Sequence, residues 1–129
     1  YVLGSNSARK LGLKSTGNAG GVNNLEVAAN ASGLEDMARA MGRGLLVTEL
    51  MGQGANTVTG DYSRGAAGFW VEKGHIVHPV DGLTIAGHLP AMYQAIEAVG
   101  ADVDKRSHIA MGSLLVGRMM VAGEAGAAA

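Results

Sequence analysis

The clearest structural signal in the sequence lies in residues 66–79, AAGFWVEKGHIVHP. Within it, two runs of strand-forming residues, 66–72 and 75–79, flank the dipeptide Lys73-Gly74. Because a two-residue turn that ends in glycine favours a tight reversal between extended runs, the pattern predicts a β-hairpin. Pro79 has no backbone N–H to donate, so we expect it to end the second strand or to place that strand at a sheet edge.

Shorter apolar runs on both sides of the hairpin predict further strands, with single glycines between them where turns and bulges belong. The opening stretch to about Asn24 is predicted to be irregular, and the Ala/Gly-rich tail from Gly123 is predicted to be frayed. The predicted strands are residues 25–29, a buried strand at 44–50, an extended segment at 56–59, residues 83–86, and residues 113–116 and 118–122 on either side of Gly117.

Two short helices complete the predicted elements. Residues 32–35, SGLE, match the sequence pattern of a capping box, which marks the start of a helix. Apolar residues follow at helical spacing, and Gly42 lies where a left-handed C-terminal cap is expected. Pro90 suits the first turn of a second helix, whose apolar stripe runs through residues 92–99 and closes at Gly100. Since the elements do not alternate as βαβ units, the predicted fold class is α+β with predominantly antiparallel strands.

The bulk composition excludes several classes of function. The 129 residues contain no cysteine, which rules out a disulfide framework and a thiolate metal site in this chain. The net charge is −1 with both signs interspersed, so there is no electrostatic footprint for nucleic acid or an anionic membrane. No apolar run reaches the roughly 18 residues that span a bilayer. Two close methionine pairs, Met37/Met41 and Met119/Met120, are interpreted as core or interface filler.

The first residues show neither an initiator Met nor the charged-then-apolar pattern of a signal peptide. We interpret the chain as a fragment of a longer cytoplasmic protein.

The four histidines do not form a recognisable metal motif. His75 and His78 lie three apart on a predicted strand and are therefore expected on opposite faces. His88 precedes a predicted helix and His108 lies in a predicted loop. No His-Glu-x-x-His pattern is present. The favoured interpretation is that all four are surface or capping residues.

Two neighbouring segments are the candidates for a binding site. Residues 52–57, GQGANT, carry two glycines, but strand-like residues follow, so a tight loop is favoured over a phosphate-binding turn. Residues 61–65, DYSRG, nearly match a nucleophile elbow, but Asp61 stands where a small residue is needed and a strand follows. An acid, a hydroxyl and a guanidinium beside glycines suit a loop that grips a peptide or a partner backbone. A salt-bridged turn has equal weight.

Longer strings are more specific than these short motifs. They are residues 1–12, YVLGSNSARKLG; residues 15–21, STGNAGG; residues 44–54, GLLVTELMGQG; residues 58–72, VTGDYSRGAAGFWVE; and TIAG at 84–87 through VGAD at 99–102. In order and over essentially the whole chain, these strings resemble the PmbA/TldE branch of the TldD/PmbA family, zinc metallopeptidases also known as modulators of DNA gyrase.

The resemblance implies one domain, residues 1–129, from the C-terminal portion of such a subunit. Its expected architecture is a curved, mostly antiparallel sheet of short strands with two short helices. The expected activity is that of a cytoplasmic TldD/TldE-like pair, which cleaves unfolded or extended peptides held as an added strand in a shared cavity. The expected partner is a TldD-like subunit in a hetero-oligomer, or a second copy in a homo-oligomer. Nucleic acid and membrane are not expected to bind directly.

The same resemblance assigns zinc to the TldD-like partner, which carries a His-Glu-x-x-x-His helix and a cysteine ligand shortly before a glycine. The matching place here is Met111-Gly112, and a thioether is a poor zinc ligand. We therefore expect no metal, cofactor or catalytic residue in this segment. The rival interpretation is a non-catalytic binding or assembly protein that regulates another enzyme. The expected cavity-facing loop comprises Gly52, Gln53, Gly54, Asp61, Ser63, Arg64 and Gly65.

Overall fold

The computed structural model describes residues 2–123, which form three short helices and eight strands. In chain order these are α1 (Ser5–Leu11), β1 (Leu25–Glu26), α2 (Leu34–Met41), β2 (Gly44–Met51), β3 (Asp61–Glu72), β4 (His75–His88), α3 (Leu89–Gln94), β5 (Ile96–Val99), β6 (Ile109–Ala110), β7 (Leu114–Val116) and β8 (Met120–Ala122). The tail predicted to be frayed begins at Gly123, and its residues 124–129 lie outside the described range.

The central hairpin is confirmed, and its two strands are longer than predicted: β3 has 12 residues and β4 has 14. Lys73 and Gly74 have φ values of +52° and +77°, the left-handed conformation that a type I′ turn requires. The ladder between β3 and β4 contains two register shifts, and Gly82, at φ +65°, lies in the first. The expectation of short strands is wrong here, because bulges bend one long ribbon that the sequence pattern divides into pieces.

Pro79 lies inside β4, opposite Phe69, so the prediction that it ends the strand is wrong. On the other side of β4, strand β8 pairs only with residues 84–86. The part of β4 that contains Pro79 therefore has no second partner strand within residues 2–123. The edge position that the missing N–H predicts is confirmed.

The main sheet has the strand order β2-β3-β4-β8, and all of its pairs are antiparallel. Two small sheets accompany it: β5 pairs with β7 in antiparallel orientation, and β1 pairs with β6 in parallel. The α+β class with predominantly antiparallel strands is confirmed. Among the described strands, β2 and β8 are the open edges of the main sheet. The prediction of a buried strand at residues 44–50 is wrong, because the last four residues of this edge strand are exposed.

The segment before β1 and the segment between β2 and β3 both differ from the prediction. Helix α1 occupies the opening stretch that was expected to be irregular, and Gly12, at φ +66°, ends it. The described part of the chain therefore contains three helices rather than the two predicted. Residues 56–59 form a turn instead of an extended segment. The Asn56 side-chain oxygen accepts the backbone N–H groups of Val58 and Thr59 at 2.9 and 3.1 Å, which stabilises this turn.

Helix α2 is confirmed, but its predicted capping box is wrong. Gly33 is the N-cap, and no side chain bonds to the free N–H groups of the first turn. At the other end, Gly42 has a positive φ of +69° and its N–H donates to the Ala38 carbonyl at 3.0 Å. Its ψ of −59° lies outside the left-handed helical region that the cap prediction implied.

The second predicted helix stops early. Helix α3 has Pro90 in its first turn, as predicted, but it ends at Gln94 and strand β5 follows. Ile96 pairs with Val116, and Val99 pairs with Leu114. The apolar stripe that suggested a continuing helix thus belongs to a strand, because pairing with a distant segment overrides the local period.

The buried core is small. Within residues 2–123, seven apolar residues are buried, and of these Ala66 and Val71 are completely inaccessible. The chain has an accessible surface of 9174 Å², whereas a compact protein of this mass exposes roughly 6,300 Å². Large apolar side chains, among them Val58, Tyr93 and Met120, are exposed. No helix in residues 2–123 has the length and apolar character needed to cross a membrane.

Candidate functional site

The residues predicted to face a cavity lie in two adjacent segments. Residues 52–54 are in the connection that follows β2, whereas residues 61–65 open strand β3. The description of all seven as one loop is therefore wrong for the second segment. The reason is that the ladder between β3 and β4 extends back to Asp61, which lies opposite His88.

Backbone contacts at Gly54 join these two segments. The Ser63 N–H donates to the Gly54 carbonyl at 2.8 Å, and Ala55 forms an isolated bridge with Tyr62. A Cβ atom at Gly54 would overlap the Ser63 carbonyl and approach the Arg64 Cγ to 2.8 Å. Glycine is therefore required for the loop to lie this close to β3.

Strand geometry divides the predicted residues between two faces of the sheet, since successive side chains of a strand point to opposite sides. Arg64 lies opposite Ile85, and Ile85 lies opposite Val121, so these three share one face. The other face carries Asp61, Ser63 and Gly65. The structure thus brings the two backbone segments together, but it places the Arg64 side chain beside Gly54 and on the sheet face opposite to that of Asp61, Ser63 and Gly65.

The two charged groups of this segment do not pair with each other. Asp61 Oδ2 accepts the Thr59 hydroxyl at 2.8 Å. Arg64 Nη2 reaches the Leu50 carbonyl only at 3.5 Å, and its buried Nε has no acceptor within residues 2–123. Neither Asp61 nor Arg64 belongs to the four ion pairs of the described residues. The salt-bridged turn is therefore not formed.

A second feature, which the sequence did not reveal, is an apolar groove of about 490 Å³. It is bounded by helix α2, strand β2, and the segment from β7 to β8, and it opens on the face of the sheet that carries Ile85 and Val121. Its walls come from elements far apart in the sequence, so no local pattern predicts it. Leu50, Tyr62 and Ile85 are among the residues that line the groove, whereas Arg64 is not.

Methionines form a large part of the groove wall. Met37, Met41, Met92 and Met119 all line it, and Met37 is only 4% exposed, which confirms its interpretation as filler. Met120 lies outside the groove and is 72% exposed. Because thioether side chains are flexible and polarisable, such a wall adapts to apolar partners of different shape. The helical spacing of Met37 and Met41 predicts that these two side chains share a face of α2, although it does not predict the groove itself.

The described residues do not fit a zinc ion. No three side chains of the His, Cys, Asp or Glu type are grouped within residues 2–123 so as to hold a metal. His75 and His78 were predicted to lie on opposite faces of their strand. They pair with Glu72 and Trp70, which share a face of β3, so the two histidines also share a face and the prediction is wrong. A bulge at Val77 realigns them. No catalytic step is assigned to a metal bound by this segment.

The dipeptide Met111-Gly112, which the resemblance aligns with an expected cysteine ligand, lies at a close approach of two backbone segments. A Cβ at Gly112 would overlap the Gly100 carbonyl, so Met111-Gly112 leads the chain tightly past β5 into β7. The next residue, Ser113, donates its hydroxyl and its backbone N–H to the Asp102 carboxylate at 2.5 and 3.0 Å. The hydrogen bond from the hydroxyl has the larger effect and the one from the backbone N–H the smaller. Together they lower the pKa of Asp102 below its ordinary value.

The described residues thus form an open antiparallel sheet with short flanking helices and an apolar groove beside its edge strand. Residues 1–123 match the PmbA/TldA metallopeptidase C-terminal domain, so the chain belongs to the PmbA/TldD metallopeptidase family. The resemblance read from the long strings of sequence is confirmed.

Curated relatives support this assignment. The chain is 56% identical over 124 residues to metalloprotease PmbA of Escherichia coli O157:H7, an alignment that covers 96% of this chain and 28% of the relative. It is 52% identical to the PmbA homologue of Haemophilus influenzae, with coverages of 95% and 28%. The chain therefore spans little more than a quarter of the length of these relatives.

Solved structures agree with the fold. A Thermotoga maritima protein described as a modulator of DNA gyrase superimposes with a TM-score of 0.84 at 36% identity, over 95% of this chain and 30% of the other. A protein of the same description from Bacteroides thetaiotaomicron gives a TM-score of 0.84 at 27% identity, over 96% and 28%.

Proposed function

We propose that this chain is a C-terminal domain of a PmbA/TldE-type, non-zinc-binding subunit in a TldD/TldE-like metallopeptidase of the cytoplasm. In that complex the domain forms one wall of the substrate cavity and part of the subunit interface. The substrates are unfolded or extended peptides. The zinc ion and the catalytic groups belong to a TldD-like partner subunit.

The observation that carries the proposal is the apolar groove beside the open edge of strand β2. Leu45, Leu46, Val47 and Leu50 of this strand line the groove. An extended peptide can add to a sheet edge through its backbone while its side chains enter adjacent pockets. Since the backbone supplies most of that recognition, an edge of this kind accepts many sequences, as a peptidase for unfolded chains requires.

The decisive experiment compares the purified protein alone, a purified TldD-like subunit alone, and the two together. Cleavage of an unfolded, fluorescently labelled protein and zinc content are measured for each. We expect zinc with the TldD-like subunit only, a stable complex by size-exclusion chromatography, and full cleavage only in the mixture. Cleavage and bound zinc in this protein alone contradict the proposal, and so does the failure of the two subunits to associate.

One observation favours the rival function, a non-catalytic protein that regulates another enzyme. Both solved relatives are described as modulators of DNA gyrase. The same purified samples distinguish the two: a regulator changes the supercoiling activity of gyrase without any peptide cleavage. A cleaving complex that leaves gyrase unaffected supports the peptidase.

A further inference from the structure

Asp81-Gly82 is the only place in the 129-residue sequence where an aspartate or an asparagine precedes a glycine. The side-chain carboxyl carbon of an aspartate can be attacked by the backbone nitrogen of the next residue, because the ring that forms has five members. Glycine as the next residue favours this reaction, since no Cβ shields the nitrogen. In a folded chain the reaction also requires that both residues are accessible and that their backbone can rotate.

The fold holds the two reacting groups together at the surface. Both residues are exposed, and the Gly82 N–H donates to Oδ1 of Asp81 at 2.6 Å. Since Oδ1 is bonded to the carboxyl carbon, this contact places that carbon beside the nitrogen that attacks it. Gly82 has φ +65°, and a Cβ built on it would meet no atom within 4 Å, so the space beside its backbone is open.

The backbone at this dipeptide is less constrained than the rest of β4. The ladder with β3 passes from Val80 to Leu83, so Asp81 and Gly82 form a bulge without register partners. On the other side of β4, strand β8 pairs only from Thr84 onward. The dipeptide can therefore rotate toward the ring geometry, and a change in backbone length falls where the ladder is already interrupted.

The other four aspartates of the chain are held differently. Each of their carboxylates accepts a hydrogen bond from another side chain, and a residue larger than glycine follows each of them. Within residues 2–123, the Asp81 carboxylate accepts a hydrogen bond only from the Gly82 N–H. The four pairs are Asp36 with Arg39, Asp61 with Thr59, Asp102 with Ser113, and Asp104 with Arg106.

We propose that Asp81 is a modification site, at which the folded protein converts aspartate to isoaspartate without an enzyme. The Gly82 nitrogen forms a bond with the carboxyl carbon of Asp81, and one carboxyl oxygen leaves as water with the protons of the carboxyl group and of the nitrogen. Water then opens the succinimide ring. Addition at the former side-chain carbonyl restores aspartate, whereas addition at the backbone carbonyl breaks the original peptide bond and leaves isoaspartate. One water molecule is lost and one is regained, and no oxidant or reductant takes part.

Ageing of the purified protein tests this inference, and it needs neither peptide cleavage nor a partner. Samples are incubated at neutral pH and physiological temperature, digested, and analysed by mass spectrometry with electron-transfer fragmentation, which locates isoaspartate. We expect isoaspartate to accumulate at Asp81 at least about tenfold faster than at any other aspartate, which corresponds to a barrier about 1.4 kcal/mol lower. We also expect comparable rates at Asp81 in the folded protein and in a sample unfolded in urea.

Variants separate the role of the glycine from that of the local backbone. Gly82→Ala places a methyl group beside the reacting nitrogen and is expected to slow the reaction about tenfold, a barrier about 1.4 kcal/mol higher. The matched control is Gly12→Ala, at an exposed glycine with φ +66° and equally open space, and it is expected to leave the rate at Asp81 unchanged. Circular dichroism establishes that each variant is folded.

A third variant keeps Gly82 and carries the test if Gly82→Ala does not fold. Asp81→Asn forms the same ring with loss of ammonia instead of water, and the product is detected by its change in mass. We expect position 81 of this variant to deamidate faster than any of the six native asparagines.

Four results overturn the inference. The first is isoaspartate formation at Asp81 no faster than at the other aspartates of the folded protein. The second is equal slowing in the Gly82 and Gly12 variants. The third is a reaction confined to the sample in urea, which shows that the fold prevents it. The fourth is deamidation of the Asp81→Asn variant at position 81 no faster than at a native asparagine.

Discussion

Asp102 accepts two hydrogen bonds from Ser113, and both stabilise its ionised form. Its pKa in the folded protein is therefore lower than the unfolded value of about 3.9. A lowered carboxylate pKa contributes stability that is fully present above the unfolded value and is lost as the pH falls through the folded value. We expect Ser113→Ala to raise the pKa of Asp102 and to lower the free energy of unfolding at pH 7. Its deficit relative to the unmodified protein shrinks as the pH falls below about 3.9.

The measurements are an NMR titration of the Asp102 carboxyl group and urea unfolding at several pH values. Ser32→Ala is the control, since Ser32 is exposed and its side chain does not cap helix α2. An unchanged pKa of Asp102 in the Ser113 variant contradicts this account, as does a pH-independent deficit equal to that of the Ser32 variant.

Single residues also explain which parts of the site the sequence could predict. The glycine segment and the DYSRG segment lie side by side because Gly54 allows a close backbone approach, whereas their role as a cavity-facing loop stays a prediction. The separation of Arg64 from Asp61 follows from strand alternation, but only once the start of β3 is known. His75 and His78 lie on the same face because of a bulge at Val77, and the identity of that residue does not predict a bulge.

Among the elements, the hairpin of β3 and β4 allows a direct test of turn chemistry. Lys73 adopts φ +52°, a conformation that costs a residue with a β-carbon more than it costs asparagine or glycine. We expect Lys73→Asn to increase the free energy of unfolding by about 0.5–1 kcal/mol. Chemical unfolding followed by circular dichroism measures the change. Lys105→Asn, at an exposed lysine without a positive φ, is the control and is expected to be neutral.

Elements were predicted best where local pattern and tertiary pairing agree. The hairpin and helix α2 satisfy this condition, because their own residues supply both the turn signals and the apolar periodicity. Strand β5 does not, since its apolar spacing fits a helix and only its partner β7 makes it a strand. Helix α1 has few apolar residues, and its end is marked only by Gly12 among several nearby glycines.

For the molecule as a whole, the described residues combine a small buried core with many exposed apolar side chains. Apolar side chains are exposed on both edge strands, including Leu50 and Met51 on β2 and Met120 and Val121 on β8. Exposed apolar patches of this kind are typical of surfaces that contact another protein. This feature was not predictable from composition, because the fraction of apolar residues does not reveal how many of them the fold buries.

The proposed subunit interface leads to a prediction about Met120, which is 72% exposed at the sheet edge. Because the side chain is exposed, Met120→Glu is expected to change the unfolding of the isolated protein by less than about 0.5 kcal/mol. A charge buried in an interface without a partner is costly, so the same variant is expected to bind a TldD-like subunit at least about tenfold more weakly.

The matched control is Val58→Glu in the turn before β3, where Val58 is 93% exposed and lies outside the sheet. Isothermal titration calorimetry with the TldD-like subunit measures both variants. Equal affinities for the Met120 and Val58 variants contradict a role for the β8 edge in assembly and direct attention to β2 instead.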